Sequence, residues 1–468
     1  MSNWRLKNNY INCLNFQIKD NPYSNIVAFS LKKMLFTILS LLVPSLAVAV
    51  SNTGGAVKLD LTISDEHMYY IENLALGTPP QFISNVIVDS GSSDLMIVDS
   101  IYNFSASSSL YNSNQTAIMK YGYGGQFPVY FINETIRSND WKLSNLSMGL
   151  ANISDMDSFS GILGIGFTRQ ELFKTNYLNL PYLLKDQGYT KSVLFSFNGQ
   201  DQNPSIIFGG ISTNIIDGPL VRAPFIKVIS FINQLDYWLM PTFTVNQIKL
   251  GDTIVSNQKT LYQIDSGTNG FVPPTPVLNN ILKILGDDYI QDDNGNIYFD
   301  IKYIEGLNIT FSVQGYDIGF QLVDIVGDTI ERNGTTFVAL NVASCDIGYN
   351  AYEGLLPNLI FKYHYAIFDY DNAQIYFGKY KNSNGEANVV AVENGYQLPV
   401  PTVDVPDVED TYSVIYIAEN ETTVTVAPTE VQSTYSSFSI SEGTSSNLTS
   451  GSTSDDKITS VTSNPQYC

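Results

Sequence analysis

Two short stretches hold the residues best suited to chemistry. Residues 86–98 read VIVDSGSSDLMIV, and residues 263–270 read QIDSGTNG. Each ends an apolar, strand-like run on an aspartate, Asp89 or Asp265, then turns on a hydroxyl, a glycine and a second hydroxyl. Taken singly, either is explained by a turn in which an aspartate bonds its own backbone. The repetition, with the aspartates 176 residues apart, points further. Each copy lies in a strand-rich block of domain size, which predicts two similar lobes facing each other.

Two such turns, brought together between lobes, place two carboxyls side by side. Like charges at that range resist joint ionisation, so the pair holds one proton. It is then an acid and a base at once. The base takes a proton from water, the water attacks a carbonyl carbon, and the acid protonates the carbonyl oxygen. Gly91 and Gly267 have no Cβ, so backbone N–H groups can approach the carboxylates closely. Ser92 and Thr268 can bond the outer carboxylate oxygens, and Ser90 and Ser266 can reach across to lock the turns together.

Other catalytic equipment is scarce. The two histidines, His67 and His364, are far apart, and Cys13, Cys345 and Cys468 define no disulfide framework. HExxH, GxSxG and CxxC are absent, so serine, cysteine and zinc chemistry are poorly supplied. No metal or cofactor is expected. The formal net charge of -21 is the opposite of a nucleic-acid footprint. With 15% charged residues the acidity comes from scarce Lys and Arg, a balance suited to acidic surroundings.

The elements that must position the aspartates are strands. Thirty Tyr and 25 Phe, with many Val, Ile and Thr, favour them from about residue 69 to 390. LPYLLKDQG (180–188) and TPVLNNILKILG (275–286) are the better helix candidates, the second ending on Gly286. Upstream, Lys32 and Lys33 precede the apolar run 34–50 with an A-x-A site at 47–49. This reads as a signal peptide over 34–49, shorter than the ~20 residues a membrane span needs. Residues 1–33 are an upstream extension of doubtful status, Met34 being an alternative start. Sequons begin at Asn103, Asn114, Asn133, Asn145, Asn152, Asn308, Asn333, Asn420 and Asn447, a density that predicts a glycosylated surface. After about residue 396 the text turns Pro- and then Ser/Thr-rich, and a disordered tail is expected over 386–468.

Over about residues 69–385 the chain resembles the pepsin-like aspartic proteases, and most of all fungal secreted members: yapsins, candidapepsins and barrier-type proteases. YYIENLALGTPPQ (69–81) is similar to the opening strand and turn, VDSGSSDL to the first catalytic motif and IDSGT to the second. KYGYGG (120–125) resembles the flap tip, which makes Tyr121, Gly122 and Tyr123 candidate substrate-binding residues and Tyr121 the one that closes over substrate. SGILGIGF (160–167), SIIFGGI (205–211), YWLMPTFTVNQIKL (237–250) and AIFDYDNAQIYFGKY (366–380) resemble the remaining landmarks. The resemblance implies an all-β, bilobal fold with short helices and a cleft between similar lobes, 69–226 and 227–385. It implies an endopeptidase with Asp89 and Asp265 as the catalytic pair.

Four departures bear on activity. Met96 stands where the family usually has Trp, Asn269 where it has Ser or Thr, and Ser160 where Asp is frequent. In EGLLPNLIFKYH (353–364), Pro357-Asn358 stand where Gly-Asp is usual, and proline offers no N–H to support Asp265. Cys345 lacks a second-lobe partner, which predicts a free thiol. Residues 50–68 leave room for only a short propeptide or N-terminal segment.

The expected protein is a secreted, monomeric aspartic endopeptidase, extracellular or at the cell wall or surface. It takes extended peptide or protein substrates, no nucleic acid, and keeps no membrane span after signal cleavage. The alternative is a catalytically impaired peptide-binding or wall-associated glycoprotein of the same fold.

Overall fold

The computed structural model describes residues 54–120, 126–138, 141–153, 159–168, 171, 177–230, 236–237, 240–286, 289–291, 297–344, 353–381, 387–403, 414–417 and 424–426. The signal segment, flap tip 121–125, Cys345 and the sequons at Asn420 and Asn447 lie outside them. The described part is mainly β with short helices, as the pepsin-like resemblance implies.

A seven-stranded sheet joins the two halves of the chain. Its order is Val57–Asp60, Ser205–Phe208, Leu194–Asn198, His364–Asp369, Gln374–Tyr380, Ile216–Pro224 and Thr402–Val403. The first six pair antiparallel and the last pairs parallel. Leu194–Asn198 is buried along its whole length, as expected of a strand covered on both faces. Phe195 stacks on Phe368 at 4.6 Å, and Phe197 on Phe361 at 4.4 Å, so aromatic pairs from both halves fill this layer.

The first half hangs its aspartate from a ten-stranded sheet. Val86–Asp89 pairs antiparallel with Tyr69–Ile71 on one side and parallel with Gly161–Gly164 on the other. Leu95–Val98 then pairs with the far edge of Gly161–Gly164. The strand after the catalytic turn is thus separated from the strand before it by a later piece of chain. A Cβ on Gly164 would lie 2.5 Å from the backbone nitrogen of Asp94, so this crossing requires glycine. The hairpin Tyr111–Lys120 and Gln126–Arg137 belongs to the same sheet, its second strand pairing with Lys142–Ala151, and closes at the pair Lys120 and Gln126.

The second half repeats the plan with fewer strands. Thr260–Ile264 lies between Thr242–Val245, antiparallel, and Gly354–Leu356, parallel. Both predicted helices form, as Leu180–Asp186 and Thr275–Leu285. The latter buries Val277, Ile281 and Leu285, four residues apart, and stops at Gly286 with φ 91°.

Two boundaries differ from expectation. Val57–Asp60 is the first strand of the joining sheet with Val57 and Leu59 buried, so part of the short leading segment is structural. Residues 387–403, expected to open a disordered tail, pack instead. Val389–Ala391 pairs with Gly210–Ser212, and Ser192 Oγ donates to the Val392 carbonyl at 2.6 Å. Leu398 and Val400 cover a cluster around Tyr365 and Ile367. Their apolar residues are too sparse to show a period, which is why the Pro-rich context dominated the sequence reading.

Candidate active site

The strands Val86–Asp89 and Thr260–Ile264 run the two aspartates to one point between the halves. Asp89 is 4% and Asp265 3% exposed. A Cβ on Gly91 would lie 2.5 Å from Asp265 Cγ, and one on Gly267 would lie 2.6 Å from Asp89 Oδ1. Each turn therefore presses its glycine against the other half's carboxyl. Nothing bulkier than glycine fits at either position.

The donors to each carboxyl come from its own turn. The Gly91 N–H donates to Asp89 Oδ1 and the Gly267 N–H to Asp265 Oδ1, each at 2.8 Å. Ser92 Oγ donates to Asp89 Oδ2 in a short bond. Thr268 contributes main-chain bonds: its carbonyl accepts from the Asn358 N–H at 2.9 Å. Ser90 and Ser266 reach across between the two turns. The N–H of each donates to the other's Oγ at 2.9 Å, while Ser90 Oγ donates to the Ile264 carbonyl and Ser266 Oγ to that of Val88.

Burial, and next the charge of Asp89 beside it, push the Asp265 carboxyl well above its usual range. The N–H groups of Gly267 and Gly91 act in the opposite direction and do not win.

The departures from the family pattern are accommodated locally. Met96 is fully buried, in a cluster with Ile87, Ile162, Val129 and Phe131 under the hairpin. Asn269 Oδ1 accepts from Asn341 Nδ2 at 3.1 Å. The Ser160 N–H donates to the Asn85 carbonyl at 2.9 Å. Strand register places Pro357 opposite Asp265, as Gly164 is opposite Asp89. The bond lost there is the counterpart of the Gly164 N–H to the Asp94 carbonyl; the Asp265 N–H still donates to the Leu356 carbonyl at 3.0 Å. Next to it, Asn358 is fully buried and its Nδ2 donates to Met68 Sδ at 3.2 Å. Sequence reasoning missed this tie between the halves, and no motif announces it.

Two further polar side chains have structural partners. Asp94 is buried and accepts from the Tyr177 hydroxyl. His364 opens its strand with Nε2 accepting from the Gly319 N–H at 3.0 Å. Glu171, which the sequence reading overlooked, is a buried acid pushed up to about 10 by its desolvation and by Asp94. Among the described sequons, Asn103, Asn114, Asn145, Asn152, Asn308 and Asn333 are exposed. Asn133 is half-buried and its Nδ2 donates to Asn145 Oδ1 at 2.7 Å. No His, Cys, Asp or Glu cluster of metal-ligand type occurs among the described residues.

Comparison with known proteins agrees with this geometry. The model of the family described as eukaryotic aspartyl protease matches residues 69–380, both halves included. Secreted aspartic protease 6 of Candida albicans is 28% identical over 377 residues, covering 74% of this chain and 85% of its own. Secreted aspartic protease 4 of the same species is 27% identical, over 72% and 81% respectively. Gastricsin of Mus musculus is 23% identical, over 68% and 83%. With both aspartate turns inside the matched region, the chain belongs to the eukaryotic aspartyl protease family and is an aspartic-type endopeptidase.

Proposed function

We propose that the protein is secreted and hydrolyses peptide bonds by a water molecule held between Asp89 and Asp265. One observation carries the assignment: each turn's glycine abuts the opposite carboxyl, so the two acids share one desolvated site. Asp89, with Ser92 Oγ and the Gly91 N–H as donors, is the carboxylate base, and Asp265 holds the proton. Water attacks the peptide carbonyl carbon as Asp89 takes its proton and Asp265 protonates the carbonyl oxygen. The resulting gem-diol collapses. Its C–N bond breaks, the amine leaves with the proton taken by Asp89, and one hydroxyl proton returns to Asp265.

The described strands of the hairpin end at Lys120 and Gln126, and Tyr121, Gly122 and Tyr123, which follow Lys120 in the sequence, are the residues proposed to close over substrate. An extended peptide beneath it is bound through its backbone, with side-chain pockets choosing sequence. Secretion rests on the signal-like segment 34–49 and on relatives named as secreted proteases. Asn103, Asn114, Asn145, Asn152, Asn308 and Asn333 are proposed to carry N-glycans, being exposed. Digestion of a peptide library between pH 3 and 7 tests the reading. Cleavage in the acid range, blocked by a statine-containing peptide, is expected; tight statine binding without any turnover would favour the impaired alternative.

A further inference from the structure

The two aspartate strands match in register but not in chemistry. Two residues before Asp89 stands Ile87, flanked across the sheet by Tyr70 and Ile162. Two residues before Asp265 stands Gln263, flanked by Thr242 and Leu355. Ile87 and Ile162 belong to the apolar cluster beneath the hairpin, against which Tyr70 packs. The corresponding layer in the second half is polar. Gln263 is 0% and Thr242 2% exposed, and neither Gln263 Oε1 nor Thr242 Oγ1 has a partner within the protein. Thr244, on the same face of the neighbouring strand, leaves its Oγ1 unpartnered as well.

The position of this carboxamide is fixed by its other end. Gln263 Nε2 donates to the Gly91 carbonyl at 3.4 Å, and Gly91 is the residue pressed against Asp265. The unpartnered acceptor thus lies within one residue of the carboxyl pair. Gln263 stands two residues before Asp265, hence on the same face of the chain, and the carboxyls that must meet substrate are themselves only 4% and 3% exposed. Buried acceptors without partners are uncommon and point to a bond made in another state. A glutamine oxygen accepts, whereas a threonine hydroxyl can donate. Cross-strand neighbours stand about 5 Å apart, close enough for one planar group to bond both.

We propose that Gln263 and Thr242 form a specificity subsite for a carboxamide side chain, Asn or Gln, immediately on one side of the scissile bond, with an apolar residue taken on the other side by the Ile87 layer. This rests on the hydrolytic role given above to Asp89 and Asp265. The substrate N–H donates to Gln263 Oε1 and its C=O accepts from Thr242. An ionised Glu side chain offers no donor and is refused, as is Met, which leaves both protein atoms unpaired on binding.

The test uses peptides that differ only in the residues flanking the scissile bond, each in turn Gln, Glu or Met. The wild-type protein should show kcat/KM at least about tenfold higher for Gln than for Met on one side only, with Glu lowest there at about pH 6, where its carboxyl is ionised. Gln263→Met should reverse that order, and Thr242→Val should narrow it. Equal preference in wild type, or a wild-type preference for Met on both sides, would overturn the proposal without any variant having to fold. Non-hydrolysable reduced-amide peptides carrying Gln or Met give the same comparison as Kd. Discrimination in binding with no cleavage of any peptide would sink the hydrolytic reading and leave the subsite standing. Cleavage without discrimination would do the reverse.

Discussion

Ser90 and Ser266 exchange backbone N–H to hydroxyl bonds across the two halves, both at 2.9 Å, and each hydroxyl passes its own proton to a carbonyl of the other half. The turns are thus bound to each other independently of the carboxyls they carry. Replacing either serine by alanine leaves buried donors and acceptors unmet and is expected to cost about 1–3 kcal/mol. The double variant should lose less than the sum, because the residues share bonds. Denaturant unfolding of the three variants measures this, and strict additivity would show that the cross-over does not couple them.

Gly91→Ala and Gly267→Ala should each lower kcat by about a hundredfold or more, since the added methyl would occupy space within 2.6 Å of a carboxyl atom. Binding of a peptide away from the carboxyls should survive. Near-normal kcat in both variants would mean the turns are looser than described.

Stability should depend on pH through two buried groups that act with opposite sign. Burial holds His364 down at about 4 from 6.5, with the charge of Lys379 adding to the shift. Tyr316 also faces the ring, its hydroxyl 3.3 Å from Nδ1. The unfolded chain therefore binds the extra proton first, and stability present above pH 6.5 is lost as pH falls towards 4, by up to about 3 kcal/mol. Asp265 has the reverse sign. Its folded value lies above 3.8, so stability falls as pH rises through that raised value. Thermal melts across pH should show His364→Gln flattening the fall towards low pH and Asp265→Asn the fall as pH rises.

Truncation after residue 386 should destabilise the protein by about 4 kcal/mol, because Val392, Leu398 and Val400 cover the cluster around Tyr365 and Ile367. Truncation after Val403 spares those contacts and should cost less. Equal Tm values for the two forms would show that residues 387–403 contribute nothing.

The parts of this molecule that chemistry demands were the parts readable in its sequence. A doubled D-S-G turn has few other uses at such spacing, and the glycines and the crossed serines follow from packing two turns face to face. Both helices showed their period and their stops. Gln263 was not readable, because a glutamine in a strand has no meaning until its neighbours across the sheet are known. Asn358 and Met68 meet only through the fold, although 290 residues separate them. The order of residues 387–403 comes from a few apolar side chains finding a surface made by the rest of the chain.

The central claim is that Asp89 and Asp265 share the work on one water molecule. Asp89→Asn and Asp265→Asn, assayed at the acid optimum on a peptide that the wild type cleaves, test it most directly. Both variants should fold, bind the peptide and fail to cleave it. Turnover near the wild-type rate in either would contradict the account.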